Sequence, residues 1–426
     1  MMLLLAAALL LGGCGYDASV EELFTLPRMA EGYTELAQQL DELLGQGYEY
    51  ASPTGGRNIQ SVQMVDLDGD GEQEALAFMR RSTDEKPLKI FVFHMNKENY
   101  RPYCTIESSG TAVDSVYYQD LNGDGRRELV VGWRISTDVQ TVAVYTVERE
   151  PVVLMSSGYT RFVMQDLNGD GVPSLLVLRT SEEGQPVAEF YGWQEEQMGI
   201  AYRCTLSSTM ASLNRGSLVS GKMDPDTPAM FITGVDERGA AVTDILIFRP
   251  EVGLVNVALD GSSGVSAAAF AYRQLPPQDI DGDGCIEIPC PESTWSADQT
   301  DGFVEWLRCV GDGRLETAAE TYHSMSCGWY LTVPSSWWDW SVEASTTSIQ
   351  NENQFTLTIN GDPVLSIYTI TGENRENRGR MGTRMVLRRQ TATVYAAELY
   401  DTASYYGMDE ELLRRSFSLI AGSWNN

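Results

Sequence analysis

One nine-residue acidic pattern, returning about every fifty residues, restricts the architectures open to this chain more than any other feature. It reads DLDGDGEQE from Asp66 to Glu74, DLNGDGRRE from Asp120 to Glu128, DLNGDGVPS from Asp166 to Ser174 and DIDGDGCIE from Asp279 to Glu287. A degenerate copy, MDPDTPAMFITG, keeps Asp224 and Asp226 but loses the glycines. The first residues of the five copies (66, 120, 166, 224 and 279) lie 54, 46, 58 and 55 apart. Such a period marks stacked supersecondary units, none of which can bury its apolar face alone.

The flanks repeat too. An alternating run precedes the loop (SVQMVDL, SVYYQDL, RFVMQDL) and another follows it (ALAFM, LVVGW, LLVLR, MFITG). A third comes after a turn (KIFVFHM, TVAVYTV, VAEFYGW, DILIFRP, FVEWLRC), and a fourth opens the next unit (YRPYCTI, PVVLMSS, IAYRCTL, GLVNVAL). Runs rich in branched and aromatic residues with period two, separated by Gly, Ser, Asn and Asp, read as strands. The fold class predicted is mainly β, a β-propeller of about five four-stranded blades over residues 48–322. A closed ring would hide its sheet edges, and an open array of the same sheets is the alternative.

The acidic pattern has the chemistry of a Ca²⁺ loop. Ca²⁺ takes six to eight oxygens, mixing carboxylates, backbone carbonyls and water. Positions 1, 3 and 5 offer side-chain oxygens from Asp66, Asp68 and Asp70; Asp120, Asn122 and Asp124; Asp166, Asn168 and Asp170; and Asp279, Asp281 and Asp283. Glycine at position 6 permits a sharp turn. Position 7 is Glu72, Arg126, Val172 or Cys285, an indifference that suits a backbone-carbonyl ligand. Position 9 closes the shell with Glu74, Glu128 or Glu287, whereas the third copy has Ser174. An EF-hand needs its last carboxylate at position 12, where this chain has Ala77, Val131, Val177 and Cys290. Three to four structural Ca²⁺ sites are therefore expected. The first and last should be the richest in carboxylate, the third the weakest, and the Asp224 copy should bind nothing.

Acidic nine-residue loops inside a four-stranded repeat resemble the FG-GAP/VCBS repeats of integrin α-subunit propellers and many bacterial surface proteins. The resemblance covers residues 48–322. It implies a loop joining neighbouring strands of a blade and binding Ca²⁺, in proteins concerned chiefly with adhesion and ligand binding.

The N-terminus reads as an address. Leu3 to Leu11 is an apolar run of signal-peptide length, too short to span a bilayer. It ends in Leu11-Gly12-Gly13-Cys14, which resembles the lipobox of bacterial lipoproteins, although no Lys or Arg precedes it. This resemblance implies cleavage before Cys14, lipidation of its thiol and an extracytoplasmic protein anchored to the bacterial membrane. Residues 15–47 read as a tether and an amphipathic helix. Ser19 and Glu22 have capping-box spacing, and Tyr33, Leu36, Leu40, Leu43 and Leu44 form an apolar stripe expected to pack on the propeller. The six other cysteines (Cys104, Cys204, Cys285, Cys290, Cys309 and Cys327) permit up to three disulfides.

After the acidic repeats, residues 325–426 predict a small α+β domain. Its strands are FTLTI, VLSIYTI, MVLRR and TVYAAEL, and its helix spans 409–420. The opening GWYLTVPSSWW and closing LLRRSFSLI loosely resemble PsbP/Mog1-like domains. Trp329, Trp337, Trp338 and Trp340 read as core, with a sugar-stacking platform as the alternative. Arg375, Arg378, Arg380, Arg384, Arg388 and Arg389 form a basic stretch.

Charge and motif content bound the function. Sixty acids against thirty bases give a net charge of −30, which disfavours nucleic acid as a partner. The two histidines, His94 and His323, have no nucleophile motif beside them, so no enzyme is expected. The expected function is a monomeric, lipid-anchored, Ca²⁺-binding surface module for an extracellular polysaccharide or protein ligand. The alternatives are a propeller carbohydrate-active enzyme and an envelope-assembly scaffold.

Overall fold

A computed structural model describes residues 31–420, apart from 97–98, 263, 265, 271–274 and 292–300. The apolar run, Cys14 and the Ser19–Glu22 capping box lie outside the described residues. The described chain is mainly β, built from sheets of four or five strands, and every strand pairing resolved residue by residue is antiparallel. It divides into two compact units. One comprises residues up to 118 with 125–137 and 145–153; the other comprises 119–124, 138–144 and 154 onward.

In the first unit, Glu31–Gly45 forms a helix. Leu36 and Leu40, one turn apart, are buried against Tyr48, Phe93 and Tyr100, as the apolar stripe predicts. Tyr33 and Leu44, at the margins of the stripe, are largely exposed. Gln39 fastens the helix by donating from Nε2 to the Tyr100 carbonyl at 2.7 Å. The helix stops where Gly47 takes a left-handed φ of 89°. The first sheet has Glu74–Arg80, Leu88–Asn96 and Asn99–Ser108 side by side. Its inner edge is made of two pieces, Val62–Val65 and Glu49–Tyr50, which pair with successive halves of Glu74–Arg80. The next strands along the chain, Ala112–Gln119, Glu128–Arg134, Gln140–Tyr145 and Val153–Gly158, form a second sheet in that order, with residues assigned to each of the two units.

The third sheet (Arg161–Gln165, Ser174–Thr180, Pro186–Gln194, Gln197–Thr205) and the fourth (Ser217–Asp224, Thr227–Val235, Ala241–Arg249, Gly253–Asn256) are meanders in chain order. Alternation along Thr227–Val235 explains how they stack. Met230 and Ile232 pack with Leu176, Leu178 and Phe190 of the third sheet. Ala229 and Phe231 point the other way and pack with Ile286, Ile288 and Cys309. A strand buried on both faces must be apolar throughout, which is why MFITG lacks polar alternation. Burying Met230, Phe231 or Ile232 stabilises the stack by about 1.5–3 kcal/mol each.

The fifth sheet runs Ile288–Pro291, Asp301–Val310, Arg314–Ser324, Trp329–Val333, Phe417–Leu419. The position expected for a domain boundary, between 322 and 325, lies at the end of Arg314–Ser324, and the fifth sheet continues across it to Trp329–Val333. A sixth sheet follows (Val342–Ile349, Glu352–Ile359, Asp362–Thr371, Thr393–Leu399, Met385–Arg389). It shares a core with Tyr322, Trp329, Trp337 and Phe417. The helix expected over 409–420 spans only Glu410–Ser416, capped by Asp409, whose side chain accepts from the Leu412 amide at 2.8 Å. It gives way because Phe417 is buried beside Trp329 and its backbone pairs with Leu331. Trp329 and Trp337 are core, whereas Trp340 is partly exposed.

Candidate metal-binding loops

The first three copies of the acidic pattern each join two neighbouring strands of one sheet, the fifth is closed by a bridge between Gln278 and Glu287 just before Ile288–Pro291, and the loop geometry repeats. Position 2 is an apolar anchor: Leu67, Leu121, Leu167 and Ile280 are all buried. Position 1 accepts backbone amides with both oxygens. Asp66 takes Gly69 N at 2.8 Å and Gly71 N at 3.2 Å; Asp166 takes Gly169 N and Gly171 N at 2.7 and 2.9 Å; Asp279 takes Gly282 N and Gly284 N at 2.7 and 3.0 Å. Position 5 accepts the amide of position 7 at 2.8 Å in all three, from Glu72, Val172 and Cys285. Gly71, Gly125, Gly171 and Gly284 have φ between 87° and 90°, a conformation that favours glycine. Gly69 has a further constraint, because a Cβ there would stand 2.7 Å from the Gly125 carbonyl.

Position 9 is a buried carboxylate tied back to position 2. Glu74 Oε2 accepts the Leu67 amide at 2.8 Å and Glu287 Oε2 accepts the Ile280 amide at 3.1 Å. Burial pushes both carboxyls above their ordinary range, against the pull of those amides. Glu128 is buried as well. In the second copy Asp120 Oδ1 accepts Gly123 N at 2.6 Å, and Asn122 donates from Nδ2 to Asp124 Oδ2 at 3.0 Å. In the third, Asn168 donates to Asp170 at 2.7 Å, and Ser174 stands where a carboxylate would close the shell. The fourth copy is reduced to a tight turn in which Asp224 accepts the Asp226 amide, with no metal-ligand cluster among the described residues.

The first loop fits a hard cation. Oxygens of Asp66, Asp68 and Asp70 lie within 4.8 Å of one another, and these three carboxylates make no ion pair among the described residues. Asp68, Glu74 and His94 form an overlapping group, in which His94 Nδ1 lies 3.1 Å from Glu74 Oε1. The fifth loop brings Asp279, Asp281 and Glu287 equally close. Into it, however, comes Arg308, whose Nη2 lies 2.6 Å from Asp283, 2.8 Å from Glu287 and 3.3 Å from Asp281. The Cys285 amide, then the Arg308 guanidinium, hold the Asp283 carboxyl below its usual range.

His94 and Arg308 are the site residues the motif does not contain. Both stand on the strand after next, across from position 9. Ala75 pairs with Phe93, so His94 faces Glu74; Ile288 pairs with Leu307, so Arg308 faces Glu287. All six described cysteines are free thiols. The basic stretch is largely paired locally: Arg384 reaches Glu352 at 2.8 Å and lies over the Tyr368 ring, and Arg389 meets Glu376 at 3.2 Å.

No family model matches the chain, and no curated protein does. Among solved structures it is similar to an exo-β-1,3-galactanase of Phanerochaete chrysosporium solved with galactose. That match has 9% identity and a TM-score of 0.25, covering 79% of this chain and 81% of the other. A GDP-mannose-dependent mannosyltransferase of Leishmania mexicana matches at 8% identity and a TM-score of 0.16, covering 78% and 92%.

Proposed function

We propose that this protein is a Ca²⁺-stabilised β-propeller of FG-GAP/VCBS type, lipid-anchored through Cys14 outside the cytoplasm, that serves as a binding module for a polysaccharide or protein ligand. The observation that carries the reading is the loop recurring with one hydrogen-bond pattern, most open to a cation in the first copy. Loops one to three supply the proposed Ca²⁺ ligands, with Asp66, Asp68, Asp70 and Glu74 the richest set. A bound ion would offset the repulsion of carboxylates crowded at the end of each inner strand. Its role is structural: it would stiffen the blades that present the binding loops.

The test is unfolding of the full-length protein, purified in detergent, in EDTA and in millimolar Ca²⁺, with calorimetric titration of the ion. A Ca²⁺ site filled at 100 times its Kd adds about 2.7 kcal/mol. Calcium uptake with a higher unfolding midpoint supports the proposal, whereas no uptake and no shift sink it. The anchor is tested separately, since Cys14→Ser should move the protein from the membrane fraction to the soluble one.

A further inference from the structure

The fifth loop carries the same carboxylates as the first, yet the two differ in what stands across from position 9. In the first loop it is His94, whose Nδ1 lies 3.1 Å from Glu74 Oε1 and makes no ion pair with Asp66, Asp68 or Asp70 among the described residues. In the third it is Gly192, because Leu175 pairs with Tyr191; it offers no side chain at all. In the fifth it is Arg308, and a single nitrogen, Nη2, touches three of the four loop carboxylates. Nε also donates to Glu287, at 3.2 Å. A guanidinium cannot lose its proton in a protein, so this cation is permanent.

We infer that Arg308 is the built-in counter-ion of the fifth loop, and that the residue facing position 9 decides whether a loop takes Ca²⁺ or an internal arginine. The fifth loop then binds Ca²⁺ far more weakly than its four carboxylates promise. A divalent ion entering it would have to displace a charge already hydrogen-bonded to Asp281, Asp283 and Glu287, and leave that arginine unpaired beside it. The inference rests on the proposal that the acidic loops bind Ca²⁺, but it makes an opposite claim for one of them. The motif itself cannot reveal the difference, because Arg308 is 21 residues beyond Glu287.

A reciprocal exchange tests it. Calorimetric counting of Ca²⁺ would compare the full-length protein with Arg308→His and His94→Arg, with circular dichroism showing that each variant is folded. Arg308→His should bind one more ion than the unaltered protein, and His94→Arg one fewer. An Arg308→His count and affinity equal to those of a Ca²⁺-binding parent would overturn the inference and leave the Ca²⁺ proposal standing. If the parent binds none and Arg308→His gains one ion, the inference stands while the proposal for the other loops falls. If neither binds, both fall. Should His94→Arg fail to fold, Arg308→Ser provides the second measurement, with the same gain of one ion expected.

Discussion

Replacing Glu74 by Gln should change stability with opposite signs in the absence and presence of Ca²⁺. Glu74 is 2% exposed, with Oε2 on the Leu67 amide and Oε1 near His94. Burial pushes its carboxyl above its ordinary 4.5, and the nearby Asp68 charge adds to the rise. A carboxyl raised in the folded state stabilises the protein fully below its unfolded value, and that contribution is lost as pH climbs through the folded value. At pH 7 without metal, the folded protein therefore bears the cost of a buried charge. Glutamine has the same shape, still offers Oε1 to the Leu67 amide, and carries no charge, so the variant in EDTA should be at least as stable as the parent. With Ca²⁺ at 100 times Kd the parent gains about 2.7 kcal/mol from this loop. A variant whose Kd rises tenfold gains about 1.4 kcal/mol, a deficit of about 1.3 kcal/mol. Urea unfolding followed by tryptophan fluorescence, in EDTA and in Ca²⁺, reads both differences. An equal loss in the two buffers would show that Glu74 is a structural hydrogen-bond acceptor and refute its assignment as a ligand.

Two further expectations concern the core. Burial pushes His323 down to about 3 from its ordinary 6.5, so its stabilising contribution is present above pH 6.5 and lost as pH falls. The loss should approach about 1.4 kcal/mol per pH unit below 6.5, levelling off near the folded value, and His323→Phe should remove that slope from a series of urea midpoints. Trp337 is wholly buried and donates from Nε1 to the Tyr406 carbonyl at 2.8 Å. Trp337→Ala should cost about 3–5 kcal/mol. Trp337→Phe should cost about 1–3 kcal/mol for the stranded carbonyl, measured the same way.

The repeat was legible because period-two alternation and glycine-rich turns are local signals. The strands after the third and fourth copies contain the runs LLVLR and MFITG that the sequence marks as strand. Two failures had long-range causes. Residues 417–419 carry a helical apolar spacing, but the sheet that Trp329–Val333 leaves open captures them as a strand. Val342–Ile349, with Ser345, Thr346, Thr347 and Ser348 at its centre, is a largely exposed strand whose polarity masked it. The loop carboxylates were visible as a motif, whereas His94 and Arg308 were not. Which residue faces position 9 depends on hairpin register, and register depends on the length and bulges of the strands between.

The buried carboxylates of successive sheets are satisfied by different means, and under the proposed Ca²⁺ binding this sets an expected order of dependence on metal. In the third sheet Glu189 lies between Arg179 and Arg203, at 2.8 and 2.6 Å. In the fourth, Asp244 accepts the amides of Ser207 and Ser208 and the Asn256 side chain. In the fifth, Glu287 has Arg308. In the first, Glu74 has the Leu67 amide and the His94 ring but no arginine, and the three aspartates beside it make no ion pair among the described residues. Removing Ca²⁺ should thus loosen the first sheet while the fifth keeps its arginine. Hydrogen exchange in EDTA should quicken over 62–80 and change little over 301–324. Equal protection loss in both segments would mean that the internal cation does not substitute for the metal.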